Sequence, residues 1–374
     1  MRIAINTRFL LKDKLEGIGV YSMEISQRLA RMYPEHQWFF LFDRPFDESF
    51  ITSKNIIPVV LPPPARHPFL WYWWFEKSIP PFLIKHKIDL FFSPDSFLSL
   101  SAKIPQLFTV HDIAYEYFPR SIPWIVNRYY RHYIPLFCKK ASNIITISNH
   151  TRNDLLKLYQ IPNEKITVIP NGVSDLFRPL STEEIIPVKK QFSDGLPYFL
   201  YVGSVHPRKN ILSILQAFEL LKTKHNSLSH QLVIAGRKAW GNDELFRYLR
   251  KMSYQSQVHW YENETHETIA KLYAGATALI YPSMYEGFGL PVLESIACGV
   301  PVITSIDSPM SEIASDCGIM INPHNYQEIY QAMLQFATND TLHAKYALIC
   351  LERASQYHWE KSANEIAQVI FKLL

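Results

Sequence analysis

Short apolar runs alternate with amphipathic stretches along the first half of the chain. The runs are apolar on both faces, which is typical of buried strands in a parallel sheet. They read RIAIN, WFFLFD, IDLFFSP, PQLFTVHD and NIITISN. Between the first two, YSMEISQRLARMYP places apolar residues three and four positions apart, as a helix with one buried face does. The pattern predicts an α/β fold with a doubly wound parallel sheet.

The second half repeats this alternation. Its strand-like runs are YFLYVGS, HQLVIAG, QVHWYE, ATALIYPS, PVITS and GIMIN. An Asn-Gly turn and two prolines in EKITVIPNGVSDLFRPLS indicate a linker. The sequence therefore predicts two Rossmann-like domains, residues 1–171 and 172–355, and an amphipathic helix over residues 356–374 that packs back on the first domain. Ligands of such sheets bind at the carboxyl ends of the strands, so the two domains are expected to face each other across a cleft.

Composition and charge narrow the functional classes. The 374 residues are 48% hydrophobic and 19% charged, which is typical of a globular chain long enough for two domains. A net charge of +4 without a long run of Lys and Arg argues against a nucleic-acid partner. A signal peptide and a window of about 20 uncharged apolar residues are both missing, so a cytoplasmic protein is expected. The four cysteines show no CxxC spacing, which indicates neither a zinc site nor disulfides.

The stretch MYEGFGLPVLESIACGVPV, residues 284–302, carries candidate chemistry after a strand-like run. Gly287 and Gly289 allow backbone N–H groups to approach a ligand, and the following helix directs its positive end toward it. Pro291 suits the first helical position, so Glu294 is expected in the first turn, eight residues after Glu286. The alternative is a simple turn in which Glu294 only complements the helix dipole.

The segment from Glu286 to Glu294 resembles the E-x7-E signature of retaining glycosyltransferases of the GT-B type, family 4. Three more segments agree: YVGSVHPRKN is similar to the family's diphosphate-binding segment, FTVHDIAY to its active-site histidine segment, and VIPNGVSDLF to its interdomain linker. The resemblance spans nearly the whole chain and includes bacterial mannosyltransferase-like members. It implies an N-terminal acceptor domain, a C-terminal nucleotide-sugar domain, and sugar transfer with retention of anomeric configuration.

The resemblance also implies roles for the residues of this segment. Glu286 would accept hydrogen bonds from sugar hydroxyls, and Glu294 would bind the ribose hydroxyls. The sugar and the phosphate would accept hydrogen bonds from the backbone N–H groups of Gly287, Phe288, Gly289 and Leu290. The two carboxylates are thus expected to bind the donor rather than to act as the acid and nucleophile of a hydrolase.

Positive charge for the leaving group is expected from Arg208 and Lys209, which follow the strand-like YFLYVGS, across the cleft. A nucleoside diphosphate leaves as an anion, which Arg can bind with two prongs and Lys as a point charge. The alternative is a solvated turn pair. Ser204 stands where many family members carry arginine, which increases the weight of Arg208. The chain has no D-x-D pair of aspartates, so a metal-independent reaction without a cofactor is expected.

Two features of the first half complete the expected catalytic site. His111 follows the strand-like PQLFTV, and we expect it to orient the donor sugar or the incoming hydroxyl; a structural histidine is the alternative. Gly17 and Gly19 in GIGVYS would lie next to the donor at a helix that begins near Val20, unless they only form a turn. Ser22 replaces the third glycine of a dinucleotide fingerprint, which disfavours a nicotinamide enzyme.

Weaker signals concern the nucleotide base, the acceptor and the membrane. Arg237, Tyr261 and Glu262 lie at strand ends where a base and ribose would bind. The candidate acceptor residues are Asp112, Arg120, Arg128 and Arg131, which suit a lipid-linked diphosphate. Aromatic and basic residues are mixed in two segments, HPFLWYWWFEKSIPPFLIKHK and PWIVNRYYRHYIPLFCKK. This composition suits a peripheral contact with the inner membrane surface, and the alternative is that both segments are core helices.

The expected function is transfer of a sugar from a nucleotide-sugar to a glycan or lipid-linked acceptor in surface polysaccharide biosynthesis. GDP-mannose is the first choice of donor, on the basis of the PRKN form of the phosphate segment. Two alternatives share the fold: a sugar-nucleotide epimerase or phosphorylase-type enzyme, and an inactive nucleotide-sugar-binding module.

Overall fold

The computed structural model describes residues 1–12, 15–238 and 243–374 and divides into two compact units. Unit 1 comprises Met1–Gly172 and His358–Leu374, and unit 2 comprises Val173–Tyr357. Each unit contains one parallel β-sheet with helices in the connections between strands. The prediction of two Rossmann-like α/β folds is therefore confirmed.

In unit 1 the described residues form a seven-stranded sheet in the order β3-β2-β1-β4-β5-β6-β7. Its strands are β1 Arg2–Asn6, β2 Gln37–Phe42, β3 Ile56–Val60, β4 Leu90–Ser93, β5 Gln106–Val110, β6 Asn143–Thr146 and β7 Ile166–Val168. Its helices are α1 Ile18–Met32, α2 Pro68–Trp73, α3 Ile79–Lys85, α4 Ala114–Tyr117, α5 Trp124–Lys140, α6 Asn149–Tyr159 and the C-terminal α15 Trp359–Lys372.

In unit 2 the described residues form a six-stranded sheet in the order β10-β9-β8-β11-β12-β13. Its strands are β8 Tyr198–Val202, β9 Gln231–Ala235, β10 Val258–Tyr261, β11 Ala278–Tyr281, β12 Val302–Ser305 and β13 Gly318–Ile321. Its helices are α7 Thr182–Phe192, α8 Ile211–Lys224, α9 Asp243–Lys251, α10 His266–Gly275, α11 Leu290–Ala297, α12 Pro309–Ala314, α13 Tyr326–Thr338 and α14 Asp340–Ala354.

Both sheets have a switch point, where the strand order reverses direction from a central pair. In unit 1 the chain builds outward from β1 to β3 on one side and from β4 to β7 on the other, and in unit 2 from β8 to β10 and from β11 to β13. The central strands are buried on both faces, as their apolar runs indicate. Ligands of open parallel sheets bind outside the carboxyl ends of such strands, at the switch point.

The C-terminal helix α15 belongs to unit 1 and packs on α1. Its apolar face is buried, including Trp359, Ile366 and Ile370. Helix α1 begins at Ile18, two residues before the position expected from the sequence. Among the described residues, no helix combines the length and the apolar character that crossing a membrane requires.

Candidate active site

The loops that follow β8 and β11 meet at the switch point of unit 2. β8 leads through Gly203 into a 3₁₀ turn over Pro207–Lys209, and β11 leads into the loop before α11. The N–H of Met284 donates to the carbonyl of Arg208 at 2.8 Å, and Ser283 Oγ lies 3.3 Å from the same oxygen. These contacts hold the predicted phosphate segment against the predicted sugar segment.

Lys209 is buried between these two loops and is fully engaged. Its Nζ donates to the Tyr281 hydroxyl at 2.6 Å and forms an ion pair with Glu286 Oε1. The ammonium also lies 5.0 Å from the centroid of the Tyr281 ring, within the range of a cation–π contact. Lys209 is therefore not a solvated turn residue.

Arg208 reaches the same carboxylate from the other side. Its Nη1 lies 3.2 Å from Glu286 Oε2 and donates to the carbonyl of Tyr285 at 2.6 Å. The sequence prediction that Arg208 and Lys209 lie across a cleft from Glu286 is wrong. The three residues are in direct contact within unit 2, because β8 and β11 are neighbours in its sheet.

Glu286 is an ionised carboxylate at neutral pH. Burial by itself would raise its pKa, but the charges of Lys209 and Arg208 and hydrogen bonds from Lys209 and Ser283 lower it to about 2. Ser283 Oγ donates to Oε1 at 2.7 Å, and the Tyr281 hydroxyl lies 3.2 Å from the same atom. An ionised carboxylate accepts hydrogen bonds and cannot act as a general acid, which suits the binding of sugar hydroxyls.

The glycine-containing loop ends at Gly289, which is required there by its geometry. Its φ is +117°, and a Cβ at this position would lie 2.7 Å from Met310 Cγ. Helix α11 begins directly afterwards at Leu290, with Pro291 in its second position rather than its first and no side-chain cap. Phe288 is buried and contacts Tyr357 with its ring, 6.2 Å between centroids, while the buried Gly287 lies between Phe288 and Glu286.

Glu294 lies in the second turn of α11, so its expected place in the first turn is wrong. Its Oε2 accepts a hydrogen bond of 2.9 Å from the buried Tyr273 hydroxyl. Burial raises the pKa of Glu294 to about 7, although the hydrogen bond from Tyr273 opposes this shift. Glu294 thus titrates near neutrality, whereas Glu286 does not, and the two carboxylates have different partners.

The predicted base and ribose residues Arg237, Tyr261 and Glu262 lie at the ends of β9 and β10, on one side of the sheet. Ser204, which follows the central strand β8, and Arg237 are exposed, and the Val205 N–H donates to the Arg237 carbonyl at 3.0 Å. Tyr261 donates to the Phe192 carbonyl at 3.3 Å, so its hydroxyl is directed at α7. Glu262 forms an ion pair of 3.1 Å with Lys238 Nζ, which lowers the pKa of Glu262.

In unit 1, His111 follows β5 directly and its ring is held on two sides. Its Nε2 lies 2.7 Å from the Pro94 carbonyl, and because a carbonyl only accepts, Nε2 carries the hydrogen. The Tyr21 ring meets the imidazole edge to face at 4.8 Å. Burial lowers the pKa of His111 against the opposing effect of Pro94. The imidazole is therefore neutral at pH 7, with Nδ1 as its acceptor.

Gly17 and Gly19 lie at the start of α1. Gly17 precedes the helix with a φ of +34°, and a Cβ there would meet no atom within 4 Å. At Gly19 a Cβ would lie 2.9 Å from the Phe9 carbonyl oxygen, and its N–H donates to the Glu16 carbonyl at 2.7 Å. Gly19 thus has a packing reason to be glycine, and its N–H is already engaged.

The predicted acceptor residues are dispersed over unit 1. Asp112 Oδ1 accepts a hydrogen bond of 2.9 Å from the Ala114 N–H, and Arg131 pairs with Glu116 at 2.8 Å. Arg128 and Arg131 line an open groove of about 1060 Å³ between α2 and α5. Its other walls are largely aromatic: Phe69, Tyr72, Trp124, Tyr129 and Tyr133. Arg120 is exposed on the short turn before α5.

Sequence reasoning missed the tyrosines and the serine that hold the two carboxylates. Tyr281 and Ser283 come from the end of β11 and its loop, and Tyr273 comes from α10. The polar end of the otherwise apolar run ATALIYPS was a signal for the first two. It also missed a buried ion pair in unit 1, between Arg8 Nε and Asp95 Oδ2 at 2.7 Å, which follows β1 and β4.

A metal centre is not evident in the described ranges. No group of three or more His, Cys, Asp and Glu residues there is arranged to hold an ion. The four cysteines, all buried thiols, are Cys138, Cys298, Cys317 and Cys350.

Two models of known protein families match this chain, one in each half. The family model described as Glycosyltransferase Family 4 matches residues 15–175, and that described as Glycosyl transferases group 1 matches residues 182–348. The O-antigen chain mannosyltransferase B of Escherichia coli is 28% identical to 97% of this chain and 98% of its own length.

Solved structures resemble the whole chain. Sucrose-phosphate synthase from Thermosynechococcus elongatus aligns with a TM-score of 0.82 at 18% identity, over 100% of this chain and 98% of that one. The Anabaena protein HepE in complex with UDP-glucose aligns with a TM-score of 0.76 at 18% identity, over 100% of both chains. These likenesses confirm the GT-B fold class that the sequence predicts.

Proposed function

Because the chain belongs to the family 4 and group 1 glycosyltransferases, we propose that it transfers a sugar from a nucleotide-sugar with retention of configuration and without a metal ion. The first choice of donor is GDP-mannose. The acceptor is a glycan or a lipid-linked sugar in surface polysaccharide biosynthesis. The relative named as an O-antigen chain mannosyltransferase, similar over almost its whole length, supports this choice of sugar and pathway.

The cluster of the buried Lys209 and Glu286 with the partly buried Arg208 is the observation that carries the proposal. Two cations and one ionised carboxylate leave one net positive charge at the switch point of unit 2. An incoming diphosphate is an anion, so it competes with Glu286 for the two cations. Charge on the departing diphosphate grows in the transition state, and fixed cations in a buried site stabilise it there most strongly.

The same cluster supports the assignment of Glu286 to the transferred sugar. Its Oε1 faces three protein donors, whereas its Oε2 faces only Arg208 among the described residues, and the carboxylate stays ionised at neutral pH. Once a diphosphate draws Arg208 and Lys209 toward itself, Glu286 can accept hydrogen bonds from sugar hydroxyls. The backbone N–H groups at the start of α11, which has no side-chain cap, are suited to phosphate and sugar oxygens.

Glu294 and His111 complete the proposed assignment. Glu294 binds the ribose hydroxyls, and its ionised form does so best because charge-assisted hydrogen bonds are the stronger ones. His111 is neutral with an acceptor at Nδ1, so it can orient the hydroxyl that attacks or a hydroxyl of the donor sugar. Gly17, Ser204, Arg237 and Glu262 remain candidate donor contacts at their strand and helix ends.

A panel of donors and acceptors tests this function. Titration calorimetry should show tighter binding of GDP-mannose than of UDP- or ADP-sugars, and lipid-linked and free-sugar acceptors should yield a glycosylated product with EDTA present. Equal affinity for all three nucleotides would remove the support for GDP-mannose. A free sugar or an epimer as the sole product would favour the epimerase or phosphorylase alternative.

Peripheral contact with an anionic membrane is a separate part of the proposal. Phe69 and Trp124 expose about three quarters of their surface, 76% and 75%, and Trp73 exposes 55%. Arg128 lies on the same helix as Trp124, as a basic partner for lipid headgroups. Vesicles with anionic lipids should sediment with the protein and neutral vesicles should not. Unchanged sedimentation of the Phe69→Ser/Trp124→Ser variant would contradict this contact.

A further inference from the structure

The switch point of unit 1 holds a buried arginine that the proposed mechanism does not use. Arg8 follows β1 and Asp95 follows β4, and these strands are neighbours at the centre of the sheet. Arg8 Nε donates to Asp95 Oδ2 at 2.7 Å. The other carboxylate oxygen of Asp95 accepts from Ser93 Oγ at 2.8 Å and from the Phe97 N–H at 3.2 Å. Asp95 thus fixes Arg8 by one edge of its guanidinium.

The other edge of this guanidinium has no hydrogen-bond partner among the described residues. Within residues 1–12, 15–238 and 243–374, no atom accepts a hydrogen bond from Nη1 or Nη2 of Arg8, although the residue is only 5% exposed. Its carbon Cζ instead lies over three rings, 4.1 Å from Phe97, 4.7 Å from Phe9 and 5.4 Å from Phe75. Neither Nη1 nor Nη2 is among the fully buried side-chain atoms that lack a partner, so this edge of the guanidinium keeps access to solvent and can receive an anion from outside.

The two units place the same kind of pair at the same point of their sheets. In unit 2 the pair is Lys209 and Glu286, which we assign to the donor, and its cation is fully occupied by protein groups. In unit 1 the cation is an arginine whose Nη1 and Nη2 form a planar fork of the kind that binds phosphate oxygens in two-pronged fashion. Arg8 therefore has more hydrogen-bond donors available for an anion than Lys209 has.

Ring contacts connect Arg8 to the aromatic groove. Phe97, which lies under the guanidinium, has its ring centroid 6.0 Å from that of Tyr129 and 5.9 Å from that of Tyr130. Tyr129 is also a wall of the groove between α2 and α5. A ligand with a phosphate group and an apolar or sugar portion could occupy both features at once.

We propose that Arg8 binds a phosphate group of the acceptor through Nη1 and Nη2 and so selects acceptors that are phosphate or diphosphate esters. This inference rests on the proposed function, since it assigns the acceptor class of the same reaction. Arg8 acts by binding and orienting the acceptor and takes no part in proton transfer. Asp95 is a positioning residue, because it holds the guanidinium in place.

Calorimetric titration of the full chain with farnesyl diphosphate tests the assignment, with saturating GDP present so that the donor site is filled. Arg8→Met should weaken binding by about tenfold or more, the range of a lost hydrogen bond to a charged group. Arg8→Lys, which keeps the charge beside Asp95 but loses the fork, should give an intermediate loss. Arg31→Met removes the same charge from an exposed site of unit 1 and should change nothing.

Two further probes separate the possible sources of the phosphate. Farnesol lacks the anion, so its binding should not depend on Arg8. Inorganic pyrophosphate lacks the prenyl group. If only the binding of farnesyl diphosphate depends on Arg8, the site is assigned to a lipid ester. If the binding of pyrophosphate depends on Arg8 as well, the site is assigned to phosphate groups in general. Equal binding of farnesyl diphosphate by the wild type, Arg8→Met and Arg8→Lys, or no binding by the wild type, overturns the inference.

Folding and the proposed function are checked in the same samples. Arg8→Met leaves Asp95 buried without its partner, so Arg8→Met/Asp95→Asn serves as a second variant without the buried charge. Binding of GDP is measured first for every variant. If GDP does not bind to the wild type, the proposed function fails by itself; if GDP binds and farnesyl diphosphate binding ignores Arg8, only the present inference fails.

Discussion

At the scale of single residues, Glu286 and Glu294 have opposite electrostatic environments although they share one segment. The cations Lys209 and Arg208 outweigh the effect of burial on Glu286 and hold its pKa at about 2. The partner of Glu294 is a tyrosine hydroxyl instead of a cation, and burial raises its pKa to about 7. Glu286 is thus a permanent anion, and Glu294 can gain or lose a proton near neutral pH.

We predict that GDP-mannose binding strengthens by about tenfold between pH 6 and pH 8, because the ionised form of Glu294 is the better acceptor for ribose hydroxyls. Both phosphates of this donor are esterified, so the ligand itself does not titrate in this range. Calorimetry at several pH values measures the effect. Glu294→Gln should bind weakly with no pH dependence of this kind, and an unchanged slope in that variant would assign the titration to another group.

The stability of unit 2 should change in the opposite direction over an overlapping range. The folded state raises the pKa of Glu294 from 4.5 to about 7, so it favours the protonated form. This contribution is fully present below pH 4.5 and is lost as the pH rises to about 7, by up to about 3 kcal/mol. Thermal unfolding of Glu294→Gln should lack this decline. Parallel pH profiles of the wild type and the variant would contradict the shift.

Lys209→Ala should lower turnover by about 10²- to 10³-fold, the usual effect of removing one fixed donor from developing negative charge. It should also lower the free energy of unfolding by about 3–5 kcal/mol, because Glu286 loses a buried partner. Lys209→Ala/Glu286→Gln should recover part of the stability without the activity. Lys345→Ala, at an exposed position of α14, is the control. Near-native turnover of Lys209→Ala would refute its role.

At this scale the sequence indicates which residues matter but not their charge states. The spacing of Glu286, Glu294, Arg208 and Lys209 singles them out. The pKa values of Glu286 and Glu294 depend on burial, on Lys209, Arg208 and Ser283 for the first and on Tyr273 for the second, and these residues become neighbours only on folding. For the same reason the contact of Arg208 and Lys209 with Glu286 could not be predicted: it depends on β8 and β11 being adjacent in the sheet.

At the scale of elements, the junction between the glycine loop and α11 is the most constrained part of the site. Gly289→Ala places a Cβ in a left-handed conformation and 2.7 Å from Met310 Cγ, so we expect a loss of about 2–4 kcal/mol and weaker GDP-mannose binding. Thermal melting and calorimetry measure both effects.

Gly195→Ala is the matched control for this variant. Its φ of +79° is also left-handed, but a Cβ there would meet nothing within 4 Å, so only the backbone term of about 1 kcal/mol is expected. Donor binding should be unaffected. Equal losses in the two variants would show that the contact with Met310 does not constrain the loop.

The strands were predictable as elements because their apolar runs are continuous and buried on both faces. The exact residues at which the helices begin were harder to predict from the sequence. Helix α1 begins at Ile18, and Gly19 in its first turn fits closely against the Phe9 carbonyl, a contact that the local sequence pattern does not indicate. In α11, the sequence predicts that Pro291 is the first helical residue, but the helix begins one residue earlier, at Leu290. Glu294 therefore lies in the second turn instead of the first.

At the scale of the whole molecule, α15 returns the end of the chain to unit 1. The Trp359 ring lies 6.0 Å from Tyr21, and Tyr21 in turn lies 4.8 Å from His111. The last helix therefore supports the element that holds the candidate catalytic histidine. The amphipathic pattern of the last residues predicts that this helix packs on the first domain. The contact of its Trp359 with Tyr21 could not be predicted from that pattern.

Trp359→Ala should destabilise unit 1 by about 3–5 kcal/mol, because a buried Trp leaves a large cavity. It should lower turnover more than GDP binding, since the donor is assigned to unit 2. Differential melting with and without GDP separates the two units. Trp73→Ala, with 55% of its residue surface exposed, should leave the melting curve unchanged. A Trp359→Ala protein with native melting and turnover would contradict this support.

The hydrolysis of GDP-mannose labelled with ¹³C at C1, followed by NMR in the presence of EDTA, tests the central claim most directly. It needs no acceptor, because water can take the place of the attacking hydroxyl. We predict that α-mannose appears before β-mannose, at a rate that EDTA does not change and that falls in Lys209→Ala. Appearance of β-mannose first, or release that requires added Mg²⁺ or Mn²⁺, would contradict a retaining, metal-independent transferase.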